Sequence, residues 1–354
     1  LVTGGAGYIG SHAARALKEA GHLPIIIDNL SRGNSYIVTD ILNIPLIVGN
    51  IGDKKLLKQI LSGEHESLKG TQCFGKAIEA IMHFAAFAYV GESIQNPMKY
   101  YKNNVIETLA LLEIICDENF YRRLGYTRPI PFVFSSTCAT YGMPESLPIN
   151  ESEKQNPINP YGRTKLFIEK ILMDLAVSSG LSSVILRYFN AAGASPDSLI
   201  GEKHDPETHL IPLAIKAALY RETNLKVFGT DYDTSDGTCI RDFIHVVDLA
   251  NAHLSALKKL KEENNEAKCT AYNIGNGIGI SVKGIISSVE KAIQSKVPVT
   301  YEERRIGDPP ILYASYEKIR NELNWEPKYI SIDTIVEHAF QWELTLNKAK
   351  RKHT

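Results

Sequence analysis

Cysteine is scarce in this sequence of 354 residues, and the 5 cysteines that occur are scattered. Their number is odd and no two are spaced as C-x-x-C, so neither a disulfide framework nor a cysteine-based zinc site is expected. Such cysteine usage is typical of a protein that works in a reducing compartment. We therefore predict a cytoplasmic protein.

An excess of charge of either sign is also missing. The 39 Lys and Arg residues nearly balance the 40 Asp and Glu residues, which gives a formal net charge of −1. A nucleic-acid or membrane-surface partner would need a basic stripe, so neither is expected. No apolar run approaches the roughly 20 residues that span a bilayer, and no signal peptide is visible. Because the sequence opens on only three strand residues, Leu1–Thr3, we expect the natural N-terminus to lie upstream.

Short apolar segments alternate with amphipathic segments in the first half of the sequence. Continuous apolar strands joined by helices predict a parallel sheet covered on both faces, and right-handed crossovers make it doubly wound. We therefore predict an α/β fold with a Rossmann sheet. The predicted strands are Leu1–Thr3, Leu23–Ile27, Pro45–Val48, Ala80–Phe84, Pro131–Phe134 and Ser183–Leu186. The predicted helices are Ser11–Ala20, Lys54–Leu61, Pro97–Asp117 and Tyr161–Val177.

The pattern changes after Phe189, where Gly, Pro, Asp and Thr become frequent. Between Ala191 and Asp242 it predicts loops around one helix, Leu210–Tyr220, and one strand, Lys226–Phe228. Further helices are predicted at Val246–Lys261 and Ile280–Gln294. We predict a dinucleotide-binding Rossmann domain at 1–189 and a smaller α/β substrate domain at 190–354, with some later segments returning to the first sheet.

A glycine-rich turn follows the first predicted strand, with Gly4, Gly7 and Gly10 spaced as G-x-x-G-x-x-G. Glycines permit a tight turn, close approach of backbone N–H groups to a pyrophosphate, and packing of the next helix on the sheet. The helix amino end then offers partial positive charge to the phosphates. Asp28 ends the second strand about 20 residues on, where an acid accepts the adenine ribose hydroxyls. A carboxylate there repels a 2′-phosphate, so NAD is predicted rather than NADP, although Arg32 lies nearby.

Tyr161 and Lys165 lie four residues apart and share one face of a predicted helix. An ammonium there stabilises a phenolate, which makes Tyr161 a candidate general acid and base for an alcohol–ketone interconversion. This spacing alone is a common coincidence on helix surfaces. It gains force from Thr137, a hydroxyl residue beyond the strand Pro131–Phe134, because ligands of open parallel sheets lie beyond the carboxyl ends of the strands.

The sequence resembles the extended short-chain dehydrogenase/reductases and, within them, the UDP-glucose 4-epimerases. The resemblance covers almost the whole chain. It rests on the motifs Val2–His12, Asp28–Ser31, His83–Ala86, Val90–Ser93, Tyr100–Asn104, Ser135–Gly142, Asn159–Gly162, Arg187–Asn190, Asp236–Val246 and Arg304–Asp308.

The resemblance implies an isomerase that interconverts UDP-glucose and UDP-galactose. A tyrosinate at Tyr161 takes the proton of the sugar O4 while C4 is oxidised by bound NAD. The 4-keto sugar then turns over and is reduced on its other face. Because NAD is regenerated, the protein must hold it tightly and exclude water. The resemblance also implies a homodimer, built through the helices Pro97–Asp117 and Tyr161–Val177.

The resemblance assigns further residues by their positions in these motifs. The implied NAD contacts are Gly4, Gly7, Tyr8, Ile9, Gly10, Asp28, Asn29, Ser31, Asn50, Ile51, Phe84, Ala85, Ala86, Ala88, Asn103, Tyr161, Lys165 and Phe189. The implied contacts to the uridine diphosphate are Asn190, Leu210, Lys226, Phe228, Arg241, Arg305 and Asp308. Arginine suits the contacts to the diphosphate, because one guanidinium group can donate two parallel hydrogen bonds to phosphate oxygens. Without the motifs around them, Arg241 and Arg305 would be interpreted as surface ion-pair residues.

Three positions depart from the usual family pattern. Asn50 stands where aspartate is frequent, and its carbonyl can still accept from an adenine amine. Ala88 stands where some members carry lysine, which removes one cofactor contact. Thr137 replaces a serine and keeps the hydroxyl group.

Two histidines and three acids lie close together between Gly201 and His209. The segment lacks the helical H-E-x-x-H spacing, and Pro206 breaks any shared helix face. We therefore predict no metal site and interpret the segment as a loop on the nucleotide side.

Several other functions remain open. A nucleotide-sugar dehydratase would carry an acidic pair directly after Thr137, where Cys138 and Ala139 stand, so dehydration is disfavoured. A UDP-arabinose or UDP-xylose 4-epimerase and a UDP-N-acetylglucosamine 4-epimerase are alternatives, the latter depending on whether Leu312 or the adjacent Tyr313 lines the sugar pocket. A catalytically silent NAD-binding regulator would have lost Tyr161 and Lys165, and both are present.

Overall fold

The computed structural model describes residues 1–262, 267–305 and 308–351. The chain divides into two compact units that alternate along the sequence. The first unit comprises Leu1–Gly142, Lys154–Arg187 and Ala250–Tyr272, and the second comprises Met143–Glu153, Tyr188–Leu249 and Asn273–Thr354. The domain boundary near Phe189 stays a prediction.

The described residues form strands and helices with the following bounds. The strands are β1 Val2–Thr3, β2 Ile26–Asp28, β3 Leu46–Val48, β4 Ile81–His83, β5 Phe132–Ser135, β6 Ser183–Tyr188, β7 Asn190–Ala192, β8 Leu225–Phe228, β9 Ile240–His245, β10 Cys269–Ile274, β11 Gly279–Ser281, β12 Val299–Glu302 and β13 Ile311–Leu312. The helices are α1 Tyr8–Glu19, α2 Lys54–Leu61, α3 Val90–Gln95, α4 Pro97–Tyr100, α5 Glu107–Ile115, α6 Glu118–Arg123, α7 Pro160–Ser178, α8 Leu210–Tyr220, α9 Val246–Glu262, α10 Val282–Ile293, α11 Glu317–Leu323 and α12 Ile332–Arg351.

A seven-stranded sheet forms the centre of the first unit, in the order β10-β6-β5-β4-β1-β2-β3. Strands β1 to β6 pair in parallel, with Val2 facing Ile26 on one side and Met82 on the other. The predicted doubly wound Rossmann fold is therefore confirmed. The chain order reverses between β1 and β4, and open α/β sheets bind ligands beyond the strand ends at such a reversal.

Branched and aromatic side chains of the sheet form the core of the first unit. Ile25, Ile27, Ile81 and Phe132 are at most 2% exposed. Leucines and isoleucines of α2, α5 and α7 pack against them in one hydrophobic cluster. Burial on both faces explains why these strands appear in the sequence as unbroken apolar runs.

The second unit contains two smaller sheets and a group of helices. Strand β9 pairs with β11, β13 and β7, and β8 pairs in parallel with β12. Helices α8, α10 and α12 pack on one another around a second apolar cluster that includes Ile215, Val289 and Val336.

The sequence predictions were wrong over two longer stretches, and the helix predicted over Ile280–Gln294 also began two residues too early, because Ile280 and Ser281 belong to β11. Between Ala191 and Asp242 one strand was predicted, whereas the structure also contains most of β7 and the first residues of β9 there. These two strands pair with each other, Asn190 facing Phe243, so their stability comes from a partner distant in sequence rather than from a local pattern.

The second error concerns the helix predicted over Pro97–Asp117. The structure has α4, a π-helical segment Tyr101–Ile106, and α5 in succession. A π segment inserts a residue into the helical repeat, which apolar periodicity does not reveal, and such segments are frequent at functional sites. Within the described residues, no helix combines the length and apolar character that a membrane crossing requires.

Candidate active site of the first unit

The glycine-rich turn connects β1 to α1. Gly4 has φ +68°, and its carbonyl accepts a hydrogen bond from the Gly7 N–H at 3.2 Å. A Cβ at Gly4 would lie 2.6 Å from the Ala85 nitrogen, and one at Gly10 would lie 2.3 Å from the Gly4 oxygen. Tight packing therefore excludes side chains at both positions. A Cβ at Gly7 would meet only the Gly4 oxygen, at 3.3 Å, so this side of the turn is open.

Helix α1 begins directly at this turn. Gly7 is its N-cap residue and provides no side-chain cap, and no acid lies in the first turn. The amino end of the helix is therefore available to an anion from outside the chain, because helix ends carry unpaired N–H groups and partial positive charge. Glycines that leave room above an uncapped helix end fit the pyrophosphate of a dinucleotide.

Asp28 lies at the end of β2 and is 8% exposed. Its Oδ2 accepts from the Ala6 N–H at 3.0 Å and its Oδ1 from the Leu30 N–H at 2.8 Å. Burial raises the pKa of Asp28, and the two N–H groups oppose that shift. These bonds fix the carboxylate between the glycine-rich turn and the turn after β2, where ribose hydroxyls could reach its remaining lone pairs.

Asn29 and Asn50 come together beyond the ends of β2 and β3. The Asn29 amide donates to the Asn50 Oδ1 at 2.8 Å, and the Asn29 Oδ1 accepts from the Ser31 N–H at 3.0 Å. Three of the predicted cofactor residues are thus joined by direct hydrogen bonds. The neighbouring Ile51 packs in the apolar core, so any contact it makes with a cofactor would use its backbone.

Arg32, which kept NADP open in the sequence, lies over the Tyr89 ring at 5.0 Å from its centroid. One of its guanidinium nitrogens is 4.0 Å from a Glu92 carboxylate oxygen. Glu92 also pairs with Lys99 at 2.6 Å. Part of the positive charge of Arg32 is therefore balanced within the protein.

The loop after β4 carries Phe84, Ala85, Ala86 and Ala88. Asn104, on the π-helical segment, holds this loop at Phe87: its Oδ1 accepts from the Phe87 N–H at 2.9 Å and its amide donates to the Phe87 carbonyl at 3.0 Å. The same amide contacts the Thr164 hydroxyl at 3.1 Å. Asn104 thus ties the loop to α7.

The predicted cofactor residue Asn103 donates to the Asn104 Oδ1 at 2.9 Å. Asn104 lies within the motif Tyr100–Asn104, but no role was predicted for it from the sequence. Its 4% exposure and its pairing with a backbone amide could not be seen in the sequence.

Helix α7 positions Tyr161 and Lys165. The Asn159 side chain caps the helix by accepting from the Gly162 N–H at 2.8 Å, and Pro160 occupies the first turn. The Tyr161 N–H donates to the Ser93 hydroxyl at 3.2 Å, and the Tyr161 side chain is buried. The capping explains why the helix begins one residue before the tyrosine.

Lys165 is 3% exposed, so Tyr161 and Lys165 do not form part of an exposed helix surface. Its ammonium group donates to the Ser135 carbonyl at 2.7 Å and lies 4.9 Å from the centroid of the Phe134 ring. Burial lowers the pKa of Lys165 to about 7, while the Glu169 carboxylate acts to raise it. The ammonium group of Lys165 therefore lies at Ser135, the last residue of β5. Thr137 follows Ser135 by two residues.

Thr137 follows β5 and is 6% exposed. Its hydroxyl oxygen accepts from the Ala139 N–H at 3.2 Å. Its own hydroxyl proton remains available for another acceptor.

A buried ion pair that was not predicted from the sequence joins α7 to β6. Glu169 and Arg187 are 0% and 3% exposed, and Arg187 binds the carboxylate through Nε at 3.0 Å and Nη2 at 2.7 Å. The Ser136 hydroxyl donates to Glu169, and Gln155 donates to it at 2.8 Å. Glu169 lies one helical turn beyond Lys165. Two features of the sequence could have indicated this pair. They are a carboxylate four residues after Lys165 and an arginine at the end of β6.

The predicted nucleotide residues belong to the second unit, where four of them form two contacts. Arg241 donates to Asp308 at 2.5 Å, and the Arg305 guanidinium lies 4.0 Å from the centroid of the Phe228 ring. Lys226 pairs with Glu302 at 3.3 Å and is largely exposed. Leu210 is the first residue of α8.

Asn190 donates to the Asp242 carbonyl at 3.1 Å. Asp242, another residue that the sequence analysis did not single out, is fully buried. It accepts from the N–H groups of Asn276 at 2.8 Å, Gly277 at 3.0 Å and Ala314 at 3.1 Å. It therefore joins three segments of the second unit.

Comparison with known proteins agrees with this geometry. The sequence model of the "NAD dependent epimerase/dehydratase family" matches residues 1–275. The chain belongs to this family. It is 46% identical over 349 residues to a UDP-glucose 4-epimerase of Rhizobium meliloti, with 98% of each chain covered.

Two solved structures are similar over nearly the full length. The UDP-glucose 4-epimerase of Brucella ovis in complex with NAD is 46% identical, with a TM-score of 0.84 and 96% of each chain covered. The UDP-glucose 4-epimerase of Stenotrophomonas maltophila, with bound NAD and formylated UDP-arabinopyranose, is 33% identical, with a TM-score of 0.87 and 98% of each chain covered.

Proposed function

We propose that this protein is an isomerase that interconverts UDP-glucose and UDP-galactose by inverting the configuration at C4. The observation that carries the proposal is Lys165, a buried ammonium group at the end of β5, one helical turn from Tyr161. The glycine-rich turn and Asp28 lie in the same unit. Family membership and the full-length relatives support the same activity.

NAD is the proposed cofactor, and when bound it supplies a hydride acceptor and donor. The open side of the turn at Gly7 and the uncapped end of α1 fit its pyrophosphate. Asp28 would accept the adenine ribose hydroxyls, and Asn29, Ser31 and Asn50 would surround the adenine end. The remaining proposed contacts are Gly4, Tyr8, Ile9, Gly10, Ile51, Phe84, Ala85, Ala86, Ala88, Asn103 and Phe189.

Three side chains would handle the proton of the sugar. Tyr161 as phenolate would take the proton of O4 and later return it. Lys165 as ammonium would stabilise that phenolate, and Thr137 would orient the O4 hydroxyl. A lysine with a pKa of about 7 carries its charge in about half of the molecules at pH 7. Cys138 and Ala139 offer no carboxyl group for dehydration.

The second unit would hold the uridine diphosphate. Arg241 and Arg305 are suited to phosphate oxygens because each presents several N–H donors in one plane. Their present partners, Asp308 and the Phe228 ring, hold the two guanidinium groups in place. Asn190, Leu210 and Lys226 complete the proposed set.

A UDP-pentose is the second candidate substrate. The observation that favours it is the bound UDP-arabinopyranose derivative in the Stenotrophomonas maltophila relative. Leu312, in β13, is 9% exposed, and Tyr313 is partly buried beside it. Both positions are therefore candidates for setting the size of the accepted sugar.

A direct assay tests the proposal. The purified, NAD-loaded protein is incubated with UDP-galactose, and UDP-glucose is measured with a coupled dehydrogenase. UDP-xylose and UDP-N-acetylgalactosamine are assayed beside it. We expect turnover of UDP-galactose with the largest kcat/KM of the three. Loss of all three activities would contradict the proposal, and a larger kcat/KM with UDP-xylose would favour the pentose.

We also propose a homodimer. Large apolar side chains are exposed on the helical segments 97–115 and 160–178, among them Met98, Ile106, Phe167 and Val177. Such residues on two packed helices suit an isologous interface. Light scattering should give twice the chain mass, and Phe167→Asp should give a monomer.

We also propose a cytoplasmic location, because the cysteine usage is typical of a reducing compartment. All five cysteines lie in the described ranges, and none of them forms a disulfide.

A further inference from the structure

Four side chains that the proposed function does not use converge just before α8. They are Glu202, His204, Glu207 and His209, and one ligand atom of each lies within 4.8 Å of all the others. From the sequence we predicted no metal site, because Pro206 breaks any shared helix face. That reason is wrong, since the loop itself folds the four side chains together without a helix.

The two carboxylates of this cluster are withdrawn from water. The Glu202 and Glu207 side chains are 6% and 5% exposed, and His204 is 17% exposed. The Glu202 carbonyl accepts from the Trp342 indole N–H at 2.7 Å, which fixes the loop against α12. Two buried carboxylates side by side require compensating positive charge.

One atom of the cluster has no hydrogen-bond partner among the described residues. The Glu207 Oε1 accepts from the Thr208 and His209 N–H groups at 2.8 and 2.9 Å. The other oxygen, Oε2, is buried and accepts no hydrogen bond from the part of the chain that the structure describes, and the His204 Nδ1 lies 3.9 Å from it. A buried oxygen without a donor in a native protein calls for an explanation such as a bound ion.

The two histidines face the carboxylates from within the same loop. The His209 Nδ1 lies 2.6 Å from the Glu202 Oε1 and 3.0 Å from the Glu207 Oε1. The His204 Nδ1 lies 3.0 Å from the same Glu202 oxygen. None of these contacts supplies a donor to the Glu207 Oε2.

We propose that this cluster is a site for a divalent cation of the zinc class, held by Glu202, His204, Glu207 and His209. Two imidazole nitrogens and two carboxylate oxygens suit zinc or manganese better than calcium or magnesium, which take oxygen ligands. The cation balances both carboxylates and uses the free Glu207 oxygen. Tetrahedral ligands at about 2.0–2.1 Å from zinc lie roughly 3.3 Å apart, and one ligand atom from each of the four residues lies within 4.8 Å of the others, so small side-chain shifts would close the site.

The partly exposed ring of His209 gives the cation an entrance from solvent. His209 immediately precedes Leu210, the first residue of α8 and a proposed nucleotide contact. A cation at the cluster would therefore fix the start of that helix.

Metal binding is measured on the full-length protein after chelator treatment. Calorimetric titration with zinc chloride is expected to show one site per chain, and cobalt(II) is expected to give visible absorption bands of a tetrahedral site. Glu207→Gln keeps an oxygen for the Thr208 and His209 N–H groups but loses the ligand oxygen. It should weaken zinc binding at least tenfold, and His204→Gln should do the same.

Asp205→Asn is the matched control, because it removes one acidic charge from the same loop outside the cluster. Its zinc affinity should stay within about twofold of the parent protein. Equal zinc affinity in the parent, Glu207→Gln and His204→Gln would overturn the proposal, as would absence of zinc binding to the folded parent protein. These measurements use no epimerase assay, so their outcome is independent of the proposed function.

Discussion

The charged side chains around the proposed catalytic pair and those proposed to bind the nucleotide differ in how far water reaches them. In the first unit, Lys165, Glu169 and Arg187 are at most 3% exposed. In the second unit, the Arg241 and Asp308 side chains are 15% and 28% exposed, and Lys226 is 64% exposed. The first group is therefore part of the folded core, and the second faces solvent at least in part.

Buried charges and partly exposed charges have different roles in a site. A buried charge must keep its partners at all times, because an uncompensated charge in the core is strongly destabilising. A partly exposed ion pair contributes little to stability and can exchange its partner for a ligand at small cost. We expect changes in the first unit to affect chemistry and folding, and changes in the second to affect substrate affinity.

The largest expected effect is that of Tyr161→Phe. It should lower kcat by about 10³-fold or more, since it removes the group that transfers the O4 proton. NAD content, measured after denaturation, should remain at the parent level. Tyr36→Phe, on an exposed side chain, is the matched control and should keep parent activity. A kcat near the parent value would remove Tyr161 from its proposed role.

Glu169→Gln should have the next largest effect, on stability. The amide leaves Arg187 buried without its negative partner, which costs about 3 kcal/mol in unfolding free energy. Asp308→Asn, which breaks the partly exposed pair with Arg241, should cost less than about 1 kcal/mol. Urea unfolding of both variants gives the comparison. Equal losses would show that burial does not distinguish the two units.

Arg305→Gln should act on substrate affinity. Loss of one charged contact to a phosphate is worth about 1.5–3 kcal/mol, so KM for UDP-galactose should rise at least tenfold. The unfolding midpoint should hardly change, because Arg305 is exposed and its guanidinium stacks on the face of the Phe228 ring. Steady-state kinetics test this, and a fall in kcat at constant KM would speak against a binding role.

A further expected effect is a pH dependence of stability due to Lys165. Burial lowers its folded pKa to about 7, against 10.5 for the ordinary lysine. Below pH 7 both states bind the proton. Between pH 7 and about 10.5 only the unfolded chain holds it, so the unfolding free energy rises with pH, by at most about 1.4 kcal/mol per unit.

The nucleotide-free protein should therefore gain stability between pH 7 and 9, relative to Lys165→Met. Urea unfolding at several pH values measures the difference. Parallel stability profiles for the two proteins would mean that Lys165 keeps its proton when buried.

Much of the first unit could be predicted from the sequence. The apolar runs identified the six parallel strands, because strands buried on both faces leave that pattern. The glycine spacing and Asp28 located the cofactor end, since each residue acts through its own backbone or a nearby turn. The Asn104 clamp and the Glu169–Arg187 pair were not predicted, because both depend on contacts between segments far apart in the chain.

Less of the second unit was predictable. β7 has only three residues and pairs with β9, a strand distant in sequence, so it carries no strong local signal. Its site residues rested on resemblance to relatives alone. The cluster before α8 was not predictable for the same reason. Pro206 correctly excludes a helix, but the side chains of a loop can come together where no sequence spacing predicts it.

The sequence by itself determined the parallel sheet, the positions of the glycine-rich turn and Asp28, and the identity of the pair Tyr161 and Lys165. These follow from local properties, namely apolar runs, backbone freedom and helical spacing. Only the tertiary structure decided that Lys165 is buried, that Asp242 joins three segments, and that two histidines and two glutamates meet. Burial and convergence depend on which distant segments pack together, and no local pattern contains that information.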